Sequence, residues 1–319
     1  MTPTNTNVKG EFMTFSEKIK EELSTLPIKN PKCALAECCG MILFANATTS
    51  ERIKITTENK NVAHRASWLL KSLFGFDFDK KIVPALTTKK FNLIIESKEK
   101  LFEIFEAFGL DMKSSLSLRL NAAIVESDDE RAAFCRGAFL TGGSVTDPKL
   151  RYHLELVTSH SILTREVVSL LLELELPAKI TSRKSNNVVY LKESGHIEDF
   201  LTRIGAPLST IELMQTKLVK DVRNQINRQV NCEYANLARV ADAANAHIHA
   251  INVLQEAGKL TALPPQLQAA AKLRLDYPDD SLSALVLRTN GAVSKSGLNH
   301  RLNKLIELAN EITSRKDSQ

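Results

Sequence analysis

The densest run of side chains able to do chemistry lies near the carboxyl end. Lys295, Ser296, Asn299, His300, Asn303 and Lys304 recur at helical spacing, with Arg301 at their flank and Arg288 upstream. Between Arg288 and Lys304 there are four basic residues and no acid. Long cations suit phosphate oxygens and guanine, and an asparagine amide pairs with adenine, so the chemistry on offer is recognition of double-stranded DNA in its major groove. A solvated face on an ordinary helical bundle is the plainer explanation, and a short helical hairpin alone does not separate the two.

Groups suited to catalysis or metal binding are sparse. His247 and His249 stand two apart on a helical segment and fall on different faces, which fits surface or core histidines better than metal ligands. Cys33, Cys38, Cys39, Cys135 and Cys232 are odd in number and form neither a CxxC pair nor a zinc-like spacing with histidine, which fits a reducing cytoplasm, and the buried-type cysteines of the small-residue helices are expected to be packing residues. There is no phosphate loop, nucleophile elbow, H-E-x-x-H pair or glycine-rich dinucleotide fingerprint. No catalytic residue, cofactor, metal or small-molecule substrate is therefore expected. No stretch approaches the roughly 18 to 20 apolar residues of a membrane span, so a membrane partner is not expected either.

The terminal run must be held by the elements around it. Ser281, Leu282 and Leu285 open one helical segment, Asn290-Gly291 breaks it, and Ser294 is a natural N-cap for the next. Val293 and Leu298 occupy hydrophobic-staple positions around that cap, with Gly297 between. The second helix then runs apolar at Leu298, Leu302, Leu305, Ile306 and Ala309, leaving the polar and basic set outside. Upstream, Leu237, Val240, Ala244, Ile248, Ile251 and Leu254 mark an amphipathic helix stopping at Gly258, and Pro264-Pro265 starts another reaching about Leu275. Before these, Lys217, Lys220, Arg223 and Arg228 against Asp221 mark a linker helix.

The first two thirds carry a weak internal repeat. The segment from Ala34 to Ala45 matches that from Ala132 to Gly142, with Gly40 on Gly137, an offset of 97 residues. The strand from Ile53 to Thr57 and its following helix match Leu154 to Thr158 and its helix, an offset of 101. Phe91 to Glu96 matches Val188 to Glu193. Each unit reads as helix, strands, helix, hairpin, helix. In Arg52-Ile53-Lys54-Ile55 apolar and basic side chains alternate, so one sheet face packs on helices and the other is open. Lys80, Lys81, Lys89 and Lys90 in one repeat, and Lys179, Arg183 and Lys184 in the other, fall at matching hairpins and are candidate phosphate contacts with Arg52 and Lys54. Glycine inside a helix costs about 1 kcal/mol relative to alanine, so matched glycines in two small-residue helices predict close helix crossing.

These signals divide the chain into a disordered tail at 1–13, a first repeat at 14–125, a second at 126–208, a linker helix at 209–230 and a terminal unit at 231–319, with the helix-turn-helix motif at about 276–309. A chain of 319 residues with 43% hydrophobic content supports several cores, and its net charge of +5 permits contact with polyanions.

The segments from Gly40 to Asn46 and from Gly137 to Gly143 resemble degenerate copies of the LAGLIDADG helix of homing endonucleases. The run AFCRGAFLTGGSVTDP resembles the central segment, and SKSGLNHRLNKL the recognition helix, of the WhiA family of sporulation and cell-division regulators. The resemblance covers the chain from Met13 onward. It implies an α+β fold with a saddle of two αββαββα units, then an all-α helix-turn-helix module similar to the promoter-reading region of sigma factors. It also implies a regulator of cell division, sporulation-type differentiation and chromosome segregation, bound to promoter DNA in the cytoplasm at the nucleoid. RNA polymerase or another regulator is a further partner in this reading.

An active endonuclease of this scaffold needs a carboxylate at the end of each paired helix to hold divalent metal. The equivalent positions are Ala45 and Gly142, neither of which offers an anionic oxygen. Glu37 lies about 12 Å upstream of Ala45 on a helix and is expected to be a solvent-facing charge. Asp147, before Pro148, is expected to cap a turn. The chain is thus expected not to be an enzyme. The competing readings are a metal-dependent homing endonuclease and a scaffold that docks a protein.

Overall fold

The structure, a computed structural model, describes residues 13–84, 90–111 and 118–316. The expected disordered tail falls almost wholly outside them, as does Lys89. The first described element is α1 (Phe15–Ser24), where the Thr14 side chain and Glu17 form the reciprocal capping box that their spacing predicts.

The first repeat continues as α2 (Pro31–Leu43), β1 (Ala47–Thr48), β2 (Ile53–Thr57), α3 (Lys60–Phe74), β3 (Lys80–Ile82), β4 (Phe91–Ile95) and α4 (Lys98–Ala107). After a single turn of 3-10 helix at Ala122–Ile124, the second repeats the order. It runs through α5 (Asp128–Gly142), β5 (Gly143–Val145), β6 (Leu154–Thr158), α6 (Ser161–Glu173), β7 (Lys179–Arg183), β8 (Asn186–Leu191) and α7 (Ser194–Ile204). The fold is α+β, with two antiparallel four-stranded sheets ordered β1-β2-β4-β3 and β5-β6-β8-β7. Identical strand order at equivalent places is what the sequence repeat requires.

Register explains the alternation. Ile53 pairs with Ile95 and Ile55 with Leu93, all buried, while Lys54 pairs with Ile94 and through it with Lys80 on the other face. In the second sheet Leu154 pairs with Leu191 and Leu156 with Val189 in the core, and Glu155 pairs with Tyr190, itself opposite Lys179. A one-residue slip would exchange the two faces, so burial of one face fixes the pairing.

α2 and α5 pack against each other and are buried along most of their length, α2 from Cys33 to Leu43 except Leu35 and α5 from Ala133 to Leu140, so they are central rather than surface helices. They cross where glycine leaves room. A Cβ on Gly40 would sit 2.1 Å from the Phe134 carbonyl oxygen. The Phe44 and Phe134 rings close the same contact edge to face, with centroids 6.4 Å apart.

Glu37 departs from expectation. It is fully buried at this crossing rather than facing solvent. Arg65 of α3 grips its carboxylate with Nε and Nη2, and Arg136 of α5 donates from Nε at 2.8 Å. The guanidinium ends are satisfied in turn, Arg65 Nη1 by the Ser24 and Leu26 carbonyls and Arg136 Nη1 by the Ile204 carbonyl. One carboxylate thus ties α2, α3, α5 and two chain turns together. An ionised group survives such burial only when paired and hydrogen-bonded, and here it is both.

A single helix, α8 (Pro207–Glu256), follows. The Glu22 carboxylate caps its first turn, accepting from the Leu208 and Ser209 amides at 2.7 and 2.9 Å. The linker helix and the amphipathic helix expected as separate elements are therefore one unbroken helix of 50 residues. No helix-breaking residue lies between Leu208 and Gly258, which is why the two run together. The chain divides into two compact units between Val219 and Lys220, within α8. The second unit adds α9 (Pro265–Asp276), α10 (Leu282–Arg288) and α11 (Lys295–Lys316) to the end of α8. Its core gathers Ile251 and Leu254 of α8, Ala270 and Ala271 of α9, Leu285 of α10 and Leu298, Leu302 and Leu305 of α11.

Candidate nucleic-acid interface

The helix-turn-helix is built from local signals. The Ser281 hydroxyl accepts from the Ala284 amide at 3.2 Å to start α10, Leu282 packs at the edge of the core, and Leu285 is fully buried. Asn290 (φ 51°) and Gly291 (φ 80°) take left-handed conformations that reverse the chain. Ser294 then caps α11, accepting from the Gly297 amide at 3.1 Å, with Leu298 in the core cluster and Val293 packed against it. These caps and the staple set the angle at which α11 leaves the turn.

Burying Leu298, Leu302, Leu305 and Ala309 leaves Lys295, Ser296, Asn299, His300, Asn303 and Lys304 exposed on the other side of α11. Gly297 and Arg301 are half-buried. The arrangement offers hydroxyl, amide, imidazole and ammonium donors on one helical surface, with no carboxylate before Glu307.

Two charges behave differently from their neighbours. The Arg288 guanidinium lies 3.6 Å over the Tyr277 ring and donates from Nε to Asp280 at 2.6 Å. Lys304 donates to Glu307 at 2.7 Å, and that bond holds its ammonium above the ordinary lysine value. Beneath them Arg274 is 1% exposed, with Nη1 donating to the Asp280 carbonyl at 2.6 Å and the Pro278 carbonyl at 3.3 Å. Arg274 and Arg288 together clamp the turn before α10. Nothing in the sequence reading assigned Arg274 a role, although a lone arginine in the apolar stretch AAAKLRL was the available signal. His247 of α8 is also buried beside these groups. Burial lowers its pKa, the Arg274 charge lowers it further, and a hydrogen bond with Asn303 works in the opposite sense.

The sheet cations do gather at the hairpins, but acids accompany them. Arg52 and Lys80 both meet Glu96, at 3.5 and 2.6 Å. Lys90 lies 3.6 Å from Glu58. Lys81 pairs with Asp77. Burial alone would raise that carboxyl, but bonds from Lys81, Lys71 and the Phe78 amide outweigh it and hold Asp77 at about 2. In the second sheet Arg183 donates to Glu155 at 2.9 Å and His153 approaches the same carboxylate at 2.6 Å. Lys54, Lys179 and Lys184 make no ion pair with a described residue; Lys184 sits at the hairpin tip with φ 57°.

At the ends of the paired helices stand Ala45, packed against the core, and Gly142. A Cβ on Gly142 would meet the Val157 carbonyl oxygen at 2.7 Å and Phe44 Cβ at 3.1 Å, so the second position has no room for an acidic side chain. Asp147 accepts from the Lys149 amide at 2.8 Å and from the Leu150 amide through its own carbonyl, as expected of a turn residue. Among the described residues no group of three or more His, Cys, Asp or Glu is placed to hold a metal ion.

Residues 226–309 match the family described as the WhiA C-terminal HTH domain, and residues 131–223 that described as the WhiA LAGLIDADG-like domain. A probable cell division protein WhiA from Clostridium botulinum (strain Hall) is 36% identical over 313 residues, covering 94% of this chain and 99% of its own length. A protein of the same description from Desulfitobacterium hafniense (strain Y51) is 37% identical over 306 residues, covering 94% and 96%. The crystal structure of full-length DUF199/WhiA from Thermotoga maritima shares 25% identity and aligns with a TM-score of 0.57 over 93% of this chain and 98% of that one. With the two sheets, the glycine-mediated helix crossing and the terminal helix-turn-helix all accounted for, this chain belongs to the WhiA family.

Proposed function

We propose that the chain is a sequence-specific DNA-binding regulator of transcription, acting in cell division, sporulation-type differentiation and chromosome segregation at the nucleoid, without nuclease chemistry. The observation that carries this reading is the outward face of α11, where Lys295, Ser296, Asn299 and His300 are exposed in the first two turns behind a Ser294 cap. The early turns of a recognition helix are those that approach base edges in the major groove. The replacement of both scaffold carboxylates by Ala45 and Gly142 favours binding over cleavage. A genome-wide binding map tests the proposal. Discrete peaks over promoters with a shared motif are expected, and uniform coverage would overturn it. Incubated with Mg²⁺ or Mn²⁺, plasmid DNA should remain supercoiled.

A second reading concerns the first unit alone. Because Arg52, Lys80, Lys81 and Arg183 are each engaged by a carboxylate, its open sheet faces are less cationic than their sequence implies. That favours contact with a protein such as RNA polymerase over a strong second grip on DNA. Weak, salt-insensitive DNA binding by the charge-reversed α11 variant of the full chain supports the scaffold reading; a steep salt slope supports DNA.

A further inference from the structure

α8 carries an apolar stripe that nothing among the described residues covers. Val219, Val222, Ile226, Val230, Tyr234 and Leu237 are 53% to 76% exposed. At 100° per residue all six fall within about 120° of arc, with Asn224, Arg228 and Asn231 on the opposite side. Further along the same side Ala244 is buried and Ile251 is buried in the terminal core, so the stripe continues a core-type surface of the same helix. Scattered exposed leucines need no explanation, but six in register on one helix do.

The intervals along the stripe are 3, 4, 4, 4 and 3 residues, which read the same in both directions about Arg228. A twofold interface demands this symmetry, because residue i must meet j while j meets i. We propose that α8 pairs antiparallel with the α8 of a second copy of this chain. Val219 then meets the partner subunit's Leu237, Val222 the partner subunit's Tyr234, and Ile226 the partner subunit's Val230. Arg223 comes beside the partner subunit's Tyr234 and level with the partner subunit's Glu233, while Arg228 at the centre points away, so no like charges oppose each other. A parallel pair would lose these matches and set Arg223 and Glu233 each level with its own copy. Twelve side chains of this size give up about 1,000 Å² in all, near the floor for specific association, so the dimer is of roughly micromolar strength.

The test uses the full chain with Cys232→Ser. Sedimentation at about 100 μM, roughly ten times above a 10 μM Kd, should give the dimer mass, and Ile226→Glu should give monomer with unchanged helicity by circular dichroism. Register is read by disulfide trapping: mixed Ile226→Cys and Val230→Cys proteins should cross-link to each other more than either does to itself. A monomer at that concentration, a dimer that survives Ile226→Glu, or preferential self-cross-linking of each cysteine variant would overturn the proposal.

Discussion

Gly137 of α5 lies so close to Glu37 of α2 that a Cβ there would stand 2.0 Å from the Glu37 carbonyl oxygen. Backbone, not a yielding side chain, occupies the space. Gly137→Ala therefore forces the two central helices apart and should cost about 3 kcal/mol in urea unfolding. Gly195, with nothing within 4 Å, is the control: Gly195→Ala should change stability by about 0.5 kcal/mol or less. Equal effects at both sites would mean that the helices do not cross as described.

Glu37 gives the second prediction. Its removal leaves the Arg65 and Arg136 guanidiniums buried without a counter-charge, so Glu37→Ala should destabilise the first unit by about 3 to 5 kcal/mol. Glu37→Gln keeps the shape but loses the charge, and should fall between Glu37→Ala and the parent. Loss of any activity in these variants must accordingly be read against the folded fraction.

His247 makes the second unit sensitive to acid. Its folded pKa lies below the unfolded value of about 6.5, because burial and Arg274 both penalise the charged ring. The neutral form is the one the fold accommodates. Stability is complete above the unfolded value and declines as pH falls from about 6.5 through the folded pKa. Once the intrinsic exchange rate, which itself falls with pH, is divided out, protection factors in α9 to α11 should decrease between pH 7.5 and pH 5.5, and His247→Leu should flatten that dependence. An unchanged pH profile in the variant would rule out the assignment.

The repeat, the succession of elements within it and the helix-turn-helix were legible because each rests on local periodicity, caps and turn glycines, whereas the strand order within each sheet was not. The Ser294 cap and the Gly40 and Gly137 pairing could be read from spacing alone. Glu37 could not, since its partners lie 28 and 99 residues away and only their convergence buries it. Glu37 is the one acid of α2, and Arg136 is the one charge in the small-residue stretch of α5 from Ala132 to Gly142, and together these were a usable hint. Likewise the hairpin cations were visible as charges, while the pairing of Lys80 with Glu96, Lys90 with Glu58 and Arg183 with Glu155 depends on strand placement.

The exposed face of α11 yields the last prediction, in which Glu307 is the informative residue. Lys304 is bonded to Glu307, so reaching a phosphate requires it to exchange one anion for another. Lys304→Ala should therefore weaken binding only slightly, whereas Glu307→Gln should tighten binding to promoter and scrambled DNA alike. The released ammonium adds up to one phosphate contact, steepening the slope of log K against log salt by about 0.9. Asn299 differs because no acid holds it and it faces outward in the early turns. Asn299→Ala should cost about 1 to 3 kcal/mol on the cognate promoter and almost nothing on a scrambled one. The measurement is a titration of the three variants against both DNAs across several salt concentrations. If Glu307→Gln leaves the salt slope unchanged, Lys304 does not face phosphate, and if Asn299→Ala weakens both DNAs equally, α11 does not read bases through this residue.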